Sequence, residues 1–198
     1  MNDSIKVELT NKGFSGWWIT LAFLLGLILS PTNAEAKNIT IGLIEHGVTA
    51  SNVCNTLQDG DVITLRTQGG SVDEAHTLVE CIRDKDVIVK VVKAYSAGVF
   101  VVFGAKKVCL IKTTEVGTHS PYAIRPDGST VTLTMNQVRA SLAYWGKQLR
   151  KQDYPVEDVF FLLGITIMTP AEDMTIIPKR ILRNVLSDRY IGECGDVL

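Results

Sequence analysis

The sequence predicts an α/β domain built on a mainly parallel sheet, and three observations carry that expectation. Short β-branched runs alternate with stretches of helical spacing between residues 38 and 103. The turns between them hold Gly69-Gly70 and Ser96-Ala97-Gly98, small residues that suit a strand-to-helix connection. A chain of 198 residues with 46% hydrophobic and 21% charged content is enough for one domain with a sizeable core.

Asn38 to Ile44, rich in Ile, reads as the first strand, and Thr49 to Leu57 as a short helix. Asp61 to Arg66 gives a second strand. Ser71 to Arg83 places Val72, Ala75, Leu78, Val79 and Ile82 at helical spacing, and Asp86 to Val92 follows as an apolar strand. Such alternation favours right-handed crossovers and a parallel sheet covered by helices. A second helical stretch begins at Ser96 and runs to about Phe103, after which Lys107 to Ile111 and Glu115 to Thr118 read as two short strands.

Tyr122 to Arg125 and Thr130 to Leu133 flank Pro126-Asp127-Gly128-Ser129, a turn sequence for a projecting hairpin with an edge suited to an extended peptide. Val138, Leu142, Trp145 and Leu149 line one face of a helix from Met135 to about Gln152, and Pro155 to Leu163 gives another. Their stripes read as packing surfaces against the sheet or against another subunit. Thr169 to Asp173 is a loop or helix start, and Pro178 to Leu186 forms the last helix. The chain has no internal repeat and no low-complexity linker.

The formal net charge is -1, and no basic run exceeds pairs such as Lys106-Lys107 and Lys179-Arg180. That balance excludes the footprint of a nucleic-acid binder. Trp17 to Leu29 is uncharged and mainly apolar, and Ala34-Glu35-Ala36 follows as a small-residue cleavage pattern. The stretch is shorter than the roughly 20 residues that span a bilayer, so residues 1–36 read as a secretory leader, with an uncleaved membrane anchor as the alternative. The domain is then 37–198, periplasmic or secreted. It carries 18 basic and 18 acidic residues, because the leader takes Lys6, Lys12, Asp3, Glu8 and Glu35 with it.

Export gives Cys54, Cys81, Cys109 and Cys194 a meaning, since an even number in an oxidising compartment suggests disulfides. The expected pairs are Cys54 with Cys81 and Cys109 with Cys194; four buried thiols are the alternative. No Cys-x-x-Cys or Cys/His cluster points to a metal, and no cofactor is expected.

Three short motifs carry chemistry. After the glycines of the first, Ser71 fits a helix N-cap, while Gly69 is the candidate for one backbone donor to an oxyanion. In the second, Ser96 lies between an apolar strand and a helix, a position for a nucleophile with the Ala97 amide beside it; a helix cap is the structural alternative. In Gly117-Thr118-His119-Ser120-Pro121, His119 ends a strand 23 residues after Ser96, a gap that fits helix, strand and return to the same sheet edge. His119 is the candidate base, ahead of His46, His76, Lys106 and Lys107. Asp173 is the candidate for orienting the imidazole, with helix capping as its alternative and Glu172 as a substitute.

Taken together, these residues resemble the Clp-type serine protease and crotonase-like superfamily, and within it exported Clp-like proteins of unassigned function. The resemblance runs from about Ile39 to Ile191: Gly69 to Val72 matches the oxyanion segment, Ser96 to Gly98 the nucleophile turn, Phe103 to Lys107 the stretch after it, and Val116 to Pro121 the histidine segment. It implies repeated β-β-α units around a parallel sheet with a smaller second sheet, Ser96 as nucleophile, His119 as base, the Gly69 and Ala97 amides as oxyanion donors, and the prospect of a homo-oligomer.

The sequence departs from the family at Tyr95, where a small residue is usual, at Gln68, where proline is usual, and near Met174, the position nearest the protease aspartate. The function expected is an exported serine hydrolase acting on peptides or proteins. A catalytically silent Clp-like domain that binds peptides or proteins is the alternative, and a coenzyme A ester enzyme fits an exported chain poorly.

Overall fold

Val, Ile and Thr dominate the inner strands, because a side chain branched at Cβ fits a pleated, half-buried surface. The computed structural model describes residues 36–125, 127–151 and 154–195; the expected leader, Pro126 of the hairpin turn and Gln152 lie outside these, apart from Ala36 at the leader's end. In chain order the strands are β1 (Asn38–Ile41), β2 (Val62–Thr67), β3 (Ile88–Tyr95), β4 (Val108–Thr118), β5 (Tyr122–Ile124), β6 (Thr130–Thr132), β7 (Thr175–Ile176) and β8 (Tyr190–Glu193). The helices are α1 (Thr49–Cys54), α2 (Val72–Arg83), α3 (Gly98–Gly104), α4 (Met135–Lys151), α5 (Val156–Met168) and α6 (Lys179–Leu186).

The main sheet runs β1-β2-β3-β4-β7, with β8 also paired to β4. The neighbours β1 to β4 and the β4–β8 pair are parallel, and β7 alone is antiparallel. A separate antiparallel pair, β5 with β6, forms the expected hairpin. The fold is therefore mixed α/β with a mostly parallel sheet, as the alternating pattern predicts.

The core is where the sheet meets α2 and α3. Ile63, Leu65, Val89, Val91 and Leu110 from the strands and Leu78, Val79 and Ile82 from α2 are buried together. All seven residues of α3 are buried, so this helix is apolar on every side. Polar side chains fix its end: Tyr154 Oη donates to the Phe100 carbonyl at 2.7 Å, and Arg189 donates to the Phe103 carbonyl while pairing with Asp158. Burial raises the Asp158 carboxyl above its ordinary value despite the Arg189 guanidinium beside it.

Several segments differ from expectation, among them the first strand, which ends at Ile41 rather than Ile44, β3, which runs on to Tyr95, and α3, which starts at Gly98 rather than Ser96. The two short strands expected at 107–111 and 115–118 are one strand, β4, which bulges between Leu110 and Glu115 where the register with β3 shifts. Thr114 Oγ1 donates to the Val91 carbonyl at 2.6 Å and keeps the bulge attached. The helix expected to end at Leu163 runs to Met168. Strands β7 and β8 were not expected, being too short to show alternation, and gain their order from pairing with β4.

Cys54 is bonded to Cys81, tying α1 to α2, and Cys109 to Cys194, tying β4 to the end of β8.

Candidate active site

The β3–β4 pairing brings the two candidate catalytic residues to one edge. Tyr95 pairs with Gly117 across the strands, and Ser96 N donates to the Gly117 carbonyl at 2.9 Å. Ser96 thus leaves β3 at the level where β4 runs into Thr118 and His119. Ser96 and His119 line one cavity of about 290 Å³, together with Gly70, Ser71, Ala97, Phe100, Tyr122 and Trp145 among others.

The turn that presents Ser96 is strained. Its φ is 51°, in the left-handed region that a residue with a side chain rarely adopts. The helix-cap alternative does not describe it: α3 has Ala97 at its N-cap position with no side-chain cap bond, and the Ser96 hydroxyl has no hydrogen bond among the described residues. Ser71 does cap α2, its hydroxyl accepting from Glu74 N at 3.3 Å.

The glycine pair is shaped by close approach. Gly69 (φ 107°) lies against Ser96 and the Tyr95 carbonyl, and Gly70 (φ 136°) lies against the Ile44 carbonyl, which accepts from Ser71 N. The amide of Gly69, the candidate donor, differs from that of Gly70 in what it is bonded to. Gly69 N–H donates to Thr67 Oγ1 at 2.9 Å and is committed there, whereas Gly70 lines the cavity and its N–H has no partner among the described residues. Ala97 N–H, at the start of α3, also has no partner there and lines the same cavity. The signal for this difference lay in Thr67, whose hydroxyl two residues before Gly69 is placed to take its amide.

His119 Nδ1 lies 2.7 Å from the Ser120 carbonyl oxygen, and its ring stacks on Tyr122 with centroids 5.3 Å apart. A carbonyl only accepts, so Nδ1 carries a proton, and in the neutral imidazole this tautomer leaves Nε2 as the acceptor. Ser120 is itself held: its N–H donates to the Thr169 carbonyl and its hydroxyl to the Thr166 carbonyl at 3.0 Å. No hydrogen bond joins His119 to Ser96 among the described residues.

Asp173 is not brought to the imidazole. It is exposed in the turn before β7, its N–H donates to the Pro170 carbonyl, and no bond links its carboxylate to His119. The side chains that pack on β4 beside Gly117 are those of Ile176 and Met174, so the segment arrives with a thioether where a carboxylate was expected. Glu172 is exposed beside the hairpin, away from the Ser96 cavity. Tyr95 turns away from the cavity: its hydroxyl bonds Glu115, which raises the phenol and lowers the carboxyl relative to their ordinary values, and Lys93 lies 5.0 Å over its ring.

The other bases are elsewhere. His46 Nδ1 is 3.4 Å from Ser71 Oγ, and His76 is buried against Phe100. Lys107 pairs with Asp86, and no lysine is among the described residues lining the cavity. Val72, Phe100, Pro121, Tyr122, Ile124 and Trp145 make much of the wall apolar, with Asp73 as the acidic residue on it. Among the described residues no group of His, Cys, Asp and Glu gathers as a metal site.

Solved structures share this architecture. A serine-to-alanine mutant of 1510-N, a membrane-bound stomatin-specific protease, superposes with a TM-score of 0.56 at 16% identity over 82% of this chain and 80% of that one. A lysine-to-alanine mutant of 1510-N in complex with a substrate peptide gives 0.52 at 15% identity, over 83% and 78%. At such identities the likeness is one of fold, a Clp-like protease fold. No protein-family model matches the chain. No curated protein matches it either.

Proposed function

We propose that the protein is an exported serine hydrolase acting on peptides through a Ser96–His119 pair. The observation that carries this reading is the shared cavity: a serine held at positive φ, an imidazole whose Nδ1 faces the Ser120 carbonyl, and the amides of Gly70 and Ala97 line the same space, with the Ser96 hydroxyl and both amides unpartnered among the described residues. Ser96 Oγ attacks the peptide carbonyl carbon while His119 Nε2 takes its proton. The N–H groups of Gly70 and Ala97 meet the oxyanion. The imidazolium then returns the proton to the departing amine, leaving an acyl ester on Ser96. Water, giving its proton to Nε2, releases the carboxylic acid and restores the serine.

In this reading the Ser120 carbonyl, rather than Asp173, holds the imidazole tautomer. A carbonyl orients the ring but stabilises the imidazolium less than a carboxylate, so slow turnover is expected. The apolar walls suit a hydrophobic side chain next to the cleaved bond, and the β5–β6 hairpin beside them offers an edge to an extended backbone. Export is supported by the two disulfides and by the apolar stretch with its Ala34-Glu35-Ala36 pattern.

One observation favours a second reading, a silent peptide-binding domain: Ser96 and His119 share a cavity without a hydrogen bond between them. Free enzymes often hold such pairs apart until substrate arrives, so the hydrolase is preferred. Turnover of an unstructured apolar peptide, compared with the Ser96→Ala variant, tests the choice. Loss of turnover with the fold intact supports the nucleophile; peptide binding without turnover in either protein supports the silent domain.

A further inference from the structure

Helices α4 and α5 cover the cavity on one side, through Trp145 and Thr166, and carry on their outer side a second groove of about 540 Å³. Its floor is Leu142, Gly146, Val159 and Leu163, where the helices approach closely enough that a Cβ on Gly146 would lie 3.1 Å from Leu163 Cδ1. Two stripes flank it. On α4, Arg139, Lys147 and Arg150 recur at i, i+8 and i+11, with Lys151 beside them; all four are exposed and none forms an ion pair with a described residue. On α5, Val156, Phe160, Leu163 and Ile167 recur at i, i+4, i+7 and i+11. Phe160 is 73% exposed, and Met168 at the end of the helix 84%.

We infer that this face docks onto the surface of an anionic phospholipid bilayer, with Phe160, Ile167 and Met168 entering the headgroup boundary and the α4 cations meeting lipid phosphates. Protruding apolar side chains on one helix beside cations on the next that have no ion-pair partner among the described residues are the pattern of an interfacial surface. Charge complementarity selects this occupant over a second copy. Helix α4 has no acidic residue, Asp158 of α5 is buried against Arg189, and only Glu157 is left exposed on the pair, so a matching face would set one acid against four cations. The inference does not rest on the chemistry of Ser96.

All four native cysteines are bonded, so a single added cysteine takes an environment-sensitive dye selectively. With the dye at Phe160→Cys in the full chain, vesicles of equal parts phosphatidylglycerol and phosphatidylcholine should shift its emission to the blue. Pure phosphatidylcholine should not, and neither should a dye at Lys85→Cys, in the turn after α2. Adding Lys147→Glu with Arg150→Glu should raise the vesicle concentration needed by about tenfold or more, and salt should weaken the shift without any substitution. Binding through residues 17–29 alone would not respond to those reversals.

An absent shift, an equal shift on uncharged vesicles, or indifference to both salt and charge reversal overturns the inference. A blue shift that grows with protein concentration in the absence of vesicles assigns the face to a second copy and overturns it as well.

Discussion

A β-carbon built on Gly69 would lie 2.6 Å from the Cβ of Ser96 and 2.9 Å from the Tyr95 carbonyl oxygen. The glycine segment and the Ser96 turn are therefore one packed unit, and the position of Ser96 depends on the absence of a side chain across from it.

Gly69→Ala should displace Ser96 and cost about 1–3 kcal/mol, from the clash and from a φ of 107° that alanine tolerates poorly. Gly42→Ala is the control, since a Cβ there meets nothing within 4 Å. Denaturant midpoints and Ser96 acylation rates for the two variants check it. Equal behaviour would mean that the close approach does not constrain the nucleophile.

Ser96→Gly should be more stable than Ser96→Ala by about 1 kcal/mol, because glycine alone relieves the cost of φ 51°. Thermal melts of the two variants decide this. Both should lack hydrolytic activity.

Asp173→Asn should leave Ser96 acylation within about twofold of the parent, whereas Ser120→Ala, which releases the hydroxyl bond to Thr166, should slow it by about three- to tenfold, the equivalent of one hydrogen bond. A large loss with Asp173→Asn would restore the carboxylate to the site.

Acid stability should depend on Asp61. Its buried carboxylate accepts N–H bonds from Lys37 and Gln58, each at 2.8 Å, and the Lys37 bond leads in holding its carboxyl below the ordinary carboxylate range. A lowered folded value means that the group stabilises the fold above its unfolded value and loses that contribution as pH falls through the folded one. Asp61→Asn should thus lower stability at neutral pH and flatten the loss below about pH 4. Urea titrations across pH check the slope.

Reduction should cost the fold about 2–4 kcal/mol for each bridge, with Cys109–Cys194, at a sequence separation of 85, costing more than Cys54–Cys81, at 27. Single-bridge Cys→Ala pairs unfolded in denaturant separate the two.

The parallel sheet was legible because its strands are β-branched and its turns carry glycine and serine; the same features marked Ser96 and His119 as neighbours. Which of the two glycine amides is left free was not legible, because it depends on where the Thr67 hydroxyl points, which periodicity does not encode. The separation of Asp173 from His119 was not legible for a related reason. The segment before β7 sets its register through Met174 packing on Gly117, and a shift of one residue exchanges a carboxylate for a thioether. Strands β7 and β8 owe their existence to β4 as a partner rather than to their own sequence.

In the proposed mechanism Ser96 is a nucleophile activated by His119. Intact-mass analysis after treatment with a fluorophosphonate probe, with Ser96→Ala and His119→Ala run alongside, checks this at the reacting atom. One adduct is expected on the folded protein, mapped to Ser96 and lost in both variants. Folded protein that takes no adduct, or an adduct that survives His119→Ala unchanged, would contradict it.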